Sequence, residues 1–124
     1  MLQSRGQFKK QKPWDESIKV PFILKFPNIS NELRSINTPF ETVDILPTIL
    51  GLTNIEIPQS VEGVDFSPYL LEKKTPPEKT GLIMCPVPFH EWSRIRGGRK
   101  FRGIINKNKK VYLCKRFKRF LVVV

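Results

Sequence analysis

The sequence predicts an α/β fold that is incomplete within its 124 residues and ends in a small antiparallel hairpin. Residues 18–26 are a β-prone run with three consecutive apolar side chains, as in a strand buried on both faces. Residues 42–52 carry apolar side chains at helical spacing. A strand of that kind needs covering layers on both sides, and so short a chain does not supply them, so we expect an incomplete fold.

The predicted helix begins near Thr42 and ends near Leu52. Thr42 or Asp44 is a suitable N-cap, and Pro47 then lies close to the first turn, where a missing N–H is best tolerated. Asn54, together with Gly51, signals the C-terminal end. The apolar face predicted from the spacing consists of Ile45, Leu46, Ile49, Leu50 and Leu52.

The remaining elements are short, because 11 prolines and 7 glycines interrupt the chain. Residues 66–73 are consistent with a short helix, and residues 81–85 with a short strand closed by prolines. Residues 101–105 and 111–114 flank a polar stretch, which predicts a β-hairpin. Residues 1–17 are polar and basic and favour a loop.

Positive charge is concentrated near the C-terminus. The net charge is +11, and residues 94–119 contain twelve lysines and arginines and no acidic residue. Charge runs of this kind are usually solvated tails, but they also attract phosphate backbones. Aromatic residues interleave the basic ones, as stacking surfaces do. A small nucleic-acid-binding protein is therefore an alternative interpretation, whereas a solvated tail is expected to bind nucleic acid only weakly and without sequence preference.

The sequence offers no assembled catalytic or structural metal site. His90 is the single histidine, and Ser93 beside it lacks a nucleophile-elbow motif, so we interpret His90 as a polar loop residue. Cys85 and Cys114 are too few for a disulfide framework, and two cysteines with one histidine argue against a structural zinc site. Asp44 is better explained by helix capping than by metal binding.

The hydropathy of the chain and its N-terminal sequence give an expectation for where in the cell the protein is found. There is no run of about 18 apolar residues, which argues against a membrane-spanning helix. The first 17 residues lack the apolar stretch of a signal peptide. If Met1 is the true start, we expect a cytoplasmic product.

Four segments, taken in order, resemble sulfatases. The first carries a Met-Leu pair, a Gly, a Lys and a Pro-aromatic-acid-Glu-Ser run that leads into a Val-Pro strand. The second is similar to the family's V-D-x-x-P-T-[LI]-L helix, and the last two resemble its following loop and helix and its C-terminal subdomain. Each motif is weak alone, but their shared order is specific. The segments are residues 1–23, 42–50, 57–70 and 86–104.

The resemblance implies the fold and chemistry of the sulfatase and alkaline phosphatase superfamily. Sulfatases hydrolyse sulfate esters with a formylglycine nucleophile and a divalent cation, usually calcium, which concentrates positive charge on the ester oxygens. The family's nucleophile motif does not occur here, and its metal ligands would fall before Met1. The family lysine corresponds to Lys10, which would contact a sulfate oxygen as a catalytic and substrate-binding residue.

The resemblance also suggests an organisation and a function. Residues 1–74 would be the C-terminal part of the sulfatase α/β domain, and residues 75–124 the start of the C-terminal subdomain with a divergent basic tail. We expect a sulfatase fragment that acts on no sulfate ester by itself. A fragment of a phosphoester or phosphonate hydrolase of the same superfamily is a further alternative.

Overall fold

The structure is a computed structural model that describes residues 13–27, 29, 32–33, 35–71, 74–76, 78–85, 100–114 and 121–123. For residues 112–114 and 121–123 it describes the backbone alone. Two compact units divide the chain: residues 23–79 form the helical unit, and residues 1–22 with 80–124 form the sheet unit. The elements, in chain order, are α1 (Asp15–Ile18), α2 (Thr42–Leu52), α3 (Ser67–Leu71), β1 (Gly81–Cys85), β2 (Phe101–Ile105), β3 (Lys110–Cys114) and β4 (Leu121–Val123).

The helical unit is built on α2, whose predicted bounds are confirmed. Its N-cap is Glu41 rather than Thr42 or Asp44, and Asp44 lies at the third helical position. Asn54 adopts a left-handed φ of 55° just beyond the helix, where asparagine is tolerated, so it ends α2 as predicted. Gly51 lies inside the helix instead.

Of the predicted apolar face of α2, Leu52 alone is fully buried, and the burial of Leu46 and Ile49 was predicted wrongly. The buried residues are Asp44, Pro47, Thr48 and Leu52. Leu46 and Ile49 are exposed, as is Val43 beside them. The reason is that the segment packed on α2 presents backbone N–H and C=O groups, which need polar partners.

Phe66, at the start of α3, is the centre of the helical unit. Its side chain is completely buried. Its ring makes edge-to-face contacts with Phe40 at 5.1 Å and with Tyr69 at 6.1 Å between ring centroids. The short helix predicted here is confirmed over Ser67–Leu71, and residues 72–73 lie outside the described part of the chain.

The sheet unit contains an antiparallel sheet of four strands in the order β1-β2-β3-β4. The predicted strand at 81–85 and the predicted hairpin are confirmed. β4, which pairs with β3 through Tyr112 and Leu121, was not predicted, because its three residues follow the basic block. The sheet is antiparallel at each of its three strand pairings, and the parallel arrangement expected for an α/β domain is not formed within the described residues.

The strand predicted for residues 18–26 is wrong. Ile18 ends α1, a short helix that was also not predicted, and residues 19–26 have no regular secondary structure. The side chains of Val20 and Ile23 are 70% and 91% exposed. An apolar run becomes a strand only if a neighbouring strand pairs with its backbone, and none of the described residues does so.

Candidate functional site

The residue predicted to contact substrate cannot be placed. Lys10 lies outside the described residues, as do His90, Ser93 and the Gly97-Gly98 turn. The geometry of a sulfate-binding lysine therefore stays a prediction. Within the described residues, the buried polar side chains are those of Asp44, Thr48 and Ser67.

A cluster of polar groups surrounds Asp44, whose side chain is completely buried in the first turn of α2. Oδ2 accepts a hydrogen bond from the Glu41 N–H at 2.8 Å, and Oδ1 accepts one from the Val64 N–H at 2.8 Å. Lys79 forms an ion pair with Oδ2. A buried carboxylate is tolerated only when its oxygens are hydrogen-bonded and its charge is compensated, and both conditions are met here.

Lys79 also approaches Glu41, whose Oε2 lies 3.0 Å from the lysine Nζ. The Lys79 side chain is 14% exposed and that of Glu41 is 27% exposed. The cluster thus combines two carboxylates with one ammonium group and lies at the N-terminus of α2. The positive end of the helix dipole compensates part of the remaining negative charge.

Thr48, one helical turn after Asp44, continues the polar face. Its side chain is 1% exposed. Its Oγ1 accepts a hydrogen bond from the Phe66 N–H at 3.1 Å and lies 3.5 Å from the Val64 carbonyl oxygen. Asp44 and Thr48 therefore hold residues 64–66 along α2 through side-chain contacts to the backbone.

Two glycines permit this close approach. A Cβ at Gly63 would overlap with the Val43 carbonyl oxygen, and the φ of Gly63 is 103°, which side-chain-bearing residues rarely adopt. A Cβ at Gly51 would overlap with the side chains of Asp65 and Ser67. The Asp65 carboxylate in turn accepts hydrogen bonds from the Ser67 N–H and hydroxyl, at 2.7 and 2.9 Å.

The acidic groups of this site do not fit a calcium ion. Calcium takes six to eight oxygen ligands, whereas the Asp44 oxygens already accept two N–H groups and an ammonium group. Among the residues that the structure describes, no set of three or more His, Cys, Asp or Glu could hold a metal. The interpretation of Asp44 as a capping residue agrees with its bond to the Glu41 N–H, although it acts from the third helical position.

A second ion cluster lies in the sheet unit. Lys110, at the start of β3, pairs with Asp15 of α1, and Lys19 lies 2.8 Å from the same carboxylate. The hydrogen bond from Lys110, and then that from Lys19, lowers the pKa of Asp15 below its ordinary value of 3.8. Since the Asp15 side chain is 49% exposed, this cluster is a surface feature.

The sequence did not indicate that Lys79 belongs to the Asp44 site. The two residues are 35 positions apart, and Lys79 follows a proline-rich stretch without regular structure. The one available signal was the Asp44–Thr48 spacing of four, which places two polar side chains on the same helix face. Within the residues that the structure describes, no helix is long and apolar enough to span a membrane.

Comparison with known proteins identifies sulfatase relatives. An ulvan-active sulfatase from Formosa agariphila is 43% identical over 83 residues, covering 66% of this chain and 16% of that protein. An endo-4-O-sulfatase from Bacteroides thetaiotaomicron is 33% identical over 76 residues, covering 60% and 15%. Steryl-sulfatase from Homo sapiens is 34% identical over 76 residues, covering 58% and 13%.

The chain therefore spans about one sixth of the length of the first two of these relatives. No solved structure is significantly similar to the chain. Residues 4–119 match the sequence profile of a family described as N-sulphoglucosamine sulphohydrolase, C-terminal. Since this match covers nearly the whole sequence, the chain belongs to that family and corresponds to a C-terminal part of a sulfatase.

Proposed function

We propose that this chain supplies the C-terminal part of an enzyme that hydrolyses sulfate esters, and that it does not catalyse the reaction by itself. The observation that carries the proposal is the family match over residues 4–119. The three relatives described above are all sulfatases, which favours neither the nucleic-acid-binding nor the phosphoester-hydrolase alternative.

Lys10 is the residue proposed to contact a sulfate oxygen. It lies within the matched range and four positions before Trp14, the aromatic residue of the motif that carries the resemblance. An ammonium group there would stabilise the negative charge that develops on the ester oxygens. Calcium is the metal proposed for the complete enzyme, and it would be held by residues other than those that the structure describes.

Exposed apolar surface supports an α/β setting for residues 1–74. One face of α2 is formed by Val43, Leu46 and Ile49, whose side chains are between 44% and 53% exposed. The opposite face of the helix is buried. Ile23 is 91% exposed in a β-prone segment. Apolar surface of this extent is normally covered, because each Å² removed from water contributes about 25 cal/mol. In the complete enzyme, we propose, the rest of the α/β domain covers this apolar surface. Residues 75–124 would begin the C-terminal subdomain.

The direct test is a chimera in which this chain replaces the aligned segment of the Formosa agariphila sulfatase. We expect hydrolysis of a sulfate ester by the chimera and none by the purified 124-residue chain, with or without calcium. Lys10→Ala in the chimera should lower kcat/KM by about 10²–10³-fold, the usual effect of removing one charge-stabilising donor.

Lys12→Ala is the matched control, since it removes the same charge two positions away and should leave kcat/KM nearly unchanged. Equal losses for the two variants would show a general electrostatic effect and contradict the role of Lys10. Hydrolysis of a phosphate monoester in preference to the sulfate ester would instead favour the phosphoester alternative. Turnover by the purified chain that disappears with Lys10→Ala would contradict the assignment of a non-catalytic part.

A further inference from the structure

Lys79 is the last residue of the helical unit. Residues 23–79 form that unit, and β1 begins two residues later at Gly81. Residues 78–80 have no regular secondary structure, so helix or strand hydrogen bonds do not fix this part of the backbone. The Lys79 side chain nevertheless reaches the first turn of α2, 35 positions earlier in the chain.

The counter-ion of Lys79 is unusual in being completely buried. Asp44 is 0% exposed, and one of its oxygens accepts the Val64 N–H. Removing one partner of such a pair leaves a charge without compensation in a place that water does not reach. Loss of Lys79 should therefore disturb the Val64 contact as well as its own segment.

We propose that Lys79 is a positioning residue, an electrostatic anchor that ties the last residues of the helical unit to the N-terminus of α2 and to the loop at Val64. Three segments meet at one carboxylate: the N-terminus of α2 through Glu41, the loop through Val64, and the end of the unit through Lys79. Residues 61–66 and 78–79 are therefore coupled, although neither segment belongs to a helix or strand.

Glu41 makes the anchor specific for a cation. Its carboxylate is the second acidic group within reach of Lys79, at 3.0 Å. A neutral side chain at position 79 would leave two neighbouring negative charges without their shared partner. Arginine at 79 keeps the charge, and it should keep more of the coupling than a neutral residue does.

Hydrogen exchange of the full 124-residue chain, followed by mass spectrometry, tests the anchor. Lys79→Met should raise exchange at residues 61–66 by about tenfold or more, because Asp44, which accepts the Val64 N–H, loses its cation. Lys25→Met is the matched control, because Lys25 is an exposed lysine of the same unit, and it should leave exchange at residues 61–66 unchanged. Lys79→Arg should give a smaller increase than Lys79→Met.

The double variant Asp44→Asn with Lys79→Met separates an electrostatic anchor from simple packing. An asparagine oxygen can still accept the Val64 N–H and needs no cation, so exchange at residues 61–66 should be slower than with Lys79→Met alone. Additive effects of the two substitutions would overturn the proposal, as would equal behaviour of Lys79→Met and Lys25→Met. Rapid exchange of the α2 amides in the unaltered chain would also overturn the proposal, because the helix that carries Asp44 would then not be stably formed.

Discussion

The helical unit and the sheet unit are stabilised in different ways. In the helical unit, buried side chains of α2 bond to the backbone of a loop up to 20 positions away, as Asp44 does to Val64. In the sheet unit, the strands pair backbone to backbone in a continuous antiparallel register. Side-chain identity is therefore decisive in the first unit, whereas many side chains are compatible with the ladder of the second.

The two units also differ in where apolar surface is left open. In the sheet, Leu82 and Ile104 are cross-strand partners, and both are more than half exposed. In the helical unit, the exposed apolar face belongs to the same helix that buries Asp44 and Thr48 on its other side. In the described residues, burial therefore follows the need to satisfy hydrogen bonds as much as it follows hydropathy. Four variants, one of them a double substitution, test this difference.

The largest effect is expected from Phe66→Ala. Phe66 is completely buried between Phe40 and Tyr69, and truncating a buried phenylalanine usually lowers the free energy of unfolding by about 3–5 kcal/mol. Circular dichroism during urea unfolding should show loss of α2 and α3 helicity. Ile55→Ala, at a site 57% exposed in the same unit, is the control and should change little. A small effect of Phe66→Ala would show that the helical unit has no core of its own.

Thr48→Val should have the next largest effect. Valine keeps the shape but leaves the buried Phe66 N–H without its acceptor, which costs about 1–3 kcal/mol. The measurement is the midpoint of urea unfolding. Thr53→Val is the matched control, because the Thr53 hydroxyl bonds to the Ile49 carbonyl on an exposed surface. If the two variants lose the same stability, polar contacts to the loop do not distinguish the helical unit.

Changing both Leu82 and Ile104 to threonine tests the sheet. Because both side chains are exposed, the free energy of unfolding should change by less than about 1 kcal/mol, the scale of a cross-strand pair. Self-association of the purified chain, measured by sedimentation velocity, should decrease because apolar surface is removed. The control replaces Ile83 and Ile105, less exposed residues at other register positions, and it should lower stability more. Unchanged self-association would mean that this sheet surface does not drive it.

The smallest effect concerns Asp15 and pH. Its pKa is lowered in the folded chain, so its ion pairs stabilise the fold above pH 3.8 and lose that contribution as pH falls through the lowered value. For a pair this exposed, the contribution is at most about 1 kcal/mol. Asp15→Asn should lower the thermal midpoint near neutral pH and leave it unchanged at strongly acidic pH. Glu56→Gln is the control, and an equal pH response in both variants would contradict the role of the pair.

Sequence signals that lie close together predicted α2, α3, β1 and the β2–β3 hairpin. Contacts between residues far apart in the sequence were not predicted. The bounds of α2 follow from apolar spacing and from Asn54, which lie within one stretch of the chain. The strand prediction for residues 18–26 failed because an apolar run does not reveal whether a pairing strand exists. Asp44 could be interpreted as a cap, but its bonds to Val64 and Lys79 depend on residues 20 and 35 positions away. Lys10, predicted by resemblance alone, lies outside the described residues.

The close approach of Gly63 to Val43 has an evolutionary consequence. Pro47 has no N–H, so the carbonyl of Val43, four positions earlier, lacks its usual helical donor. The backbone of Gly63 occupies the space beside that oxygen, where a Cβ would overlap. A residue with an N–H at position 47 would draw the carbonyl back into the helix and open room at position 63. Because the φ of Gly63 is 103°, position 63 would still favour glycine, so among homologous sequences glycine at 63 should be retained even where position 47 is not proline.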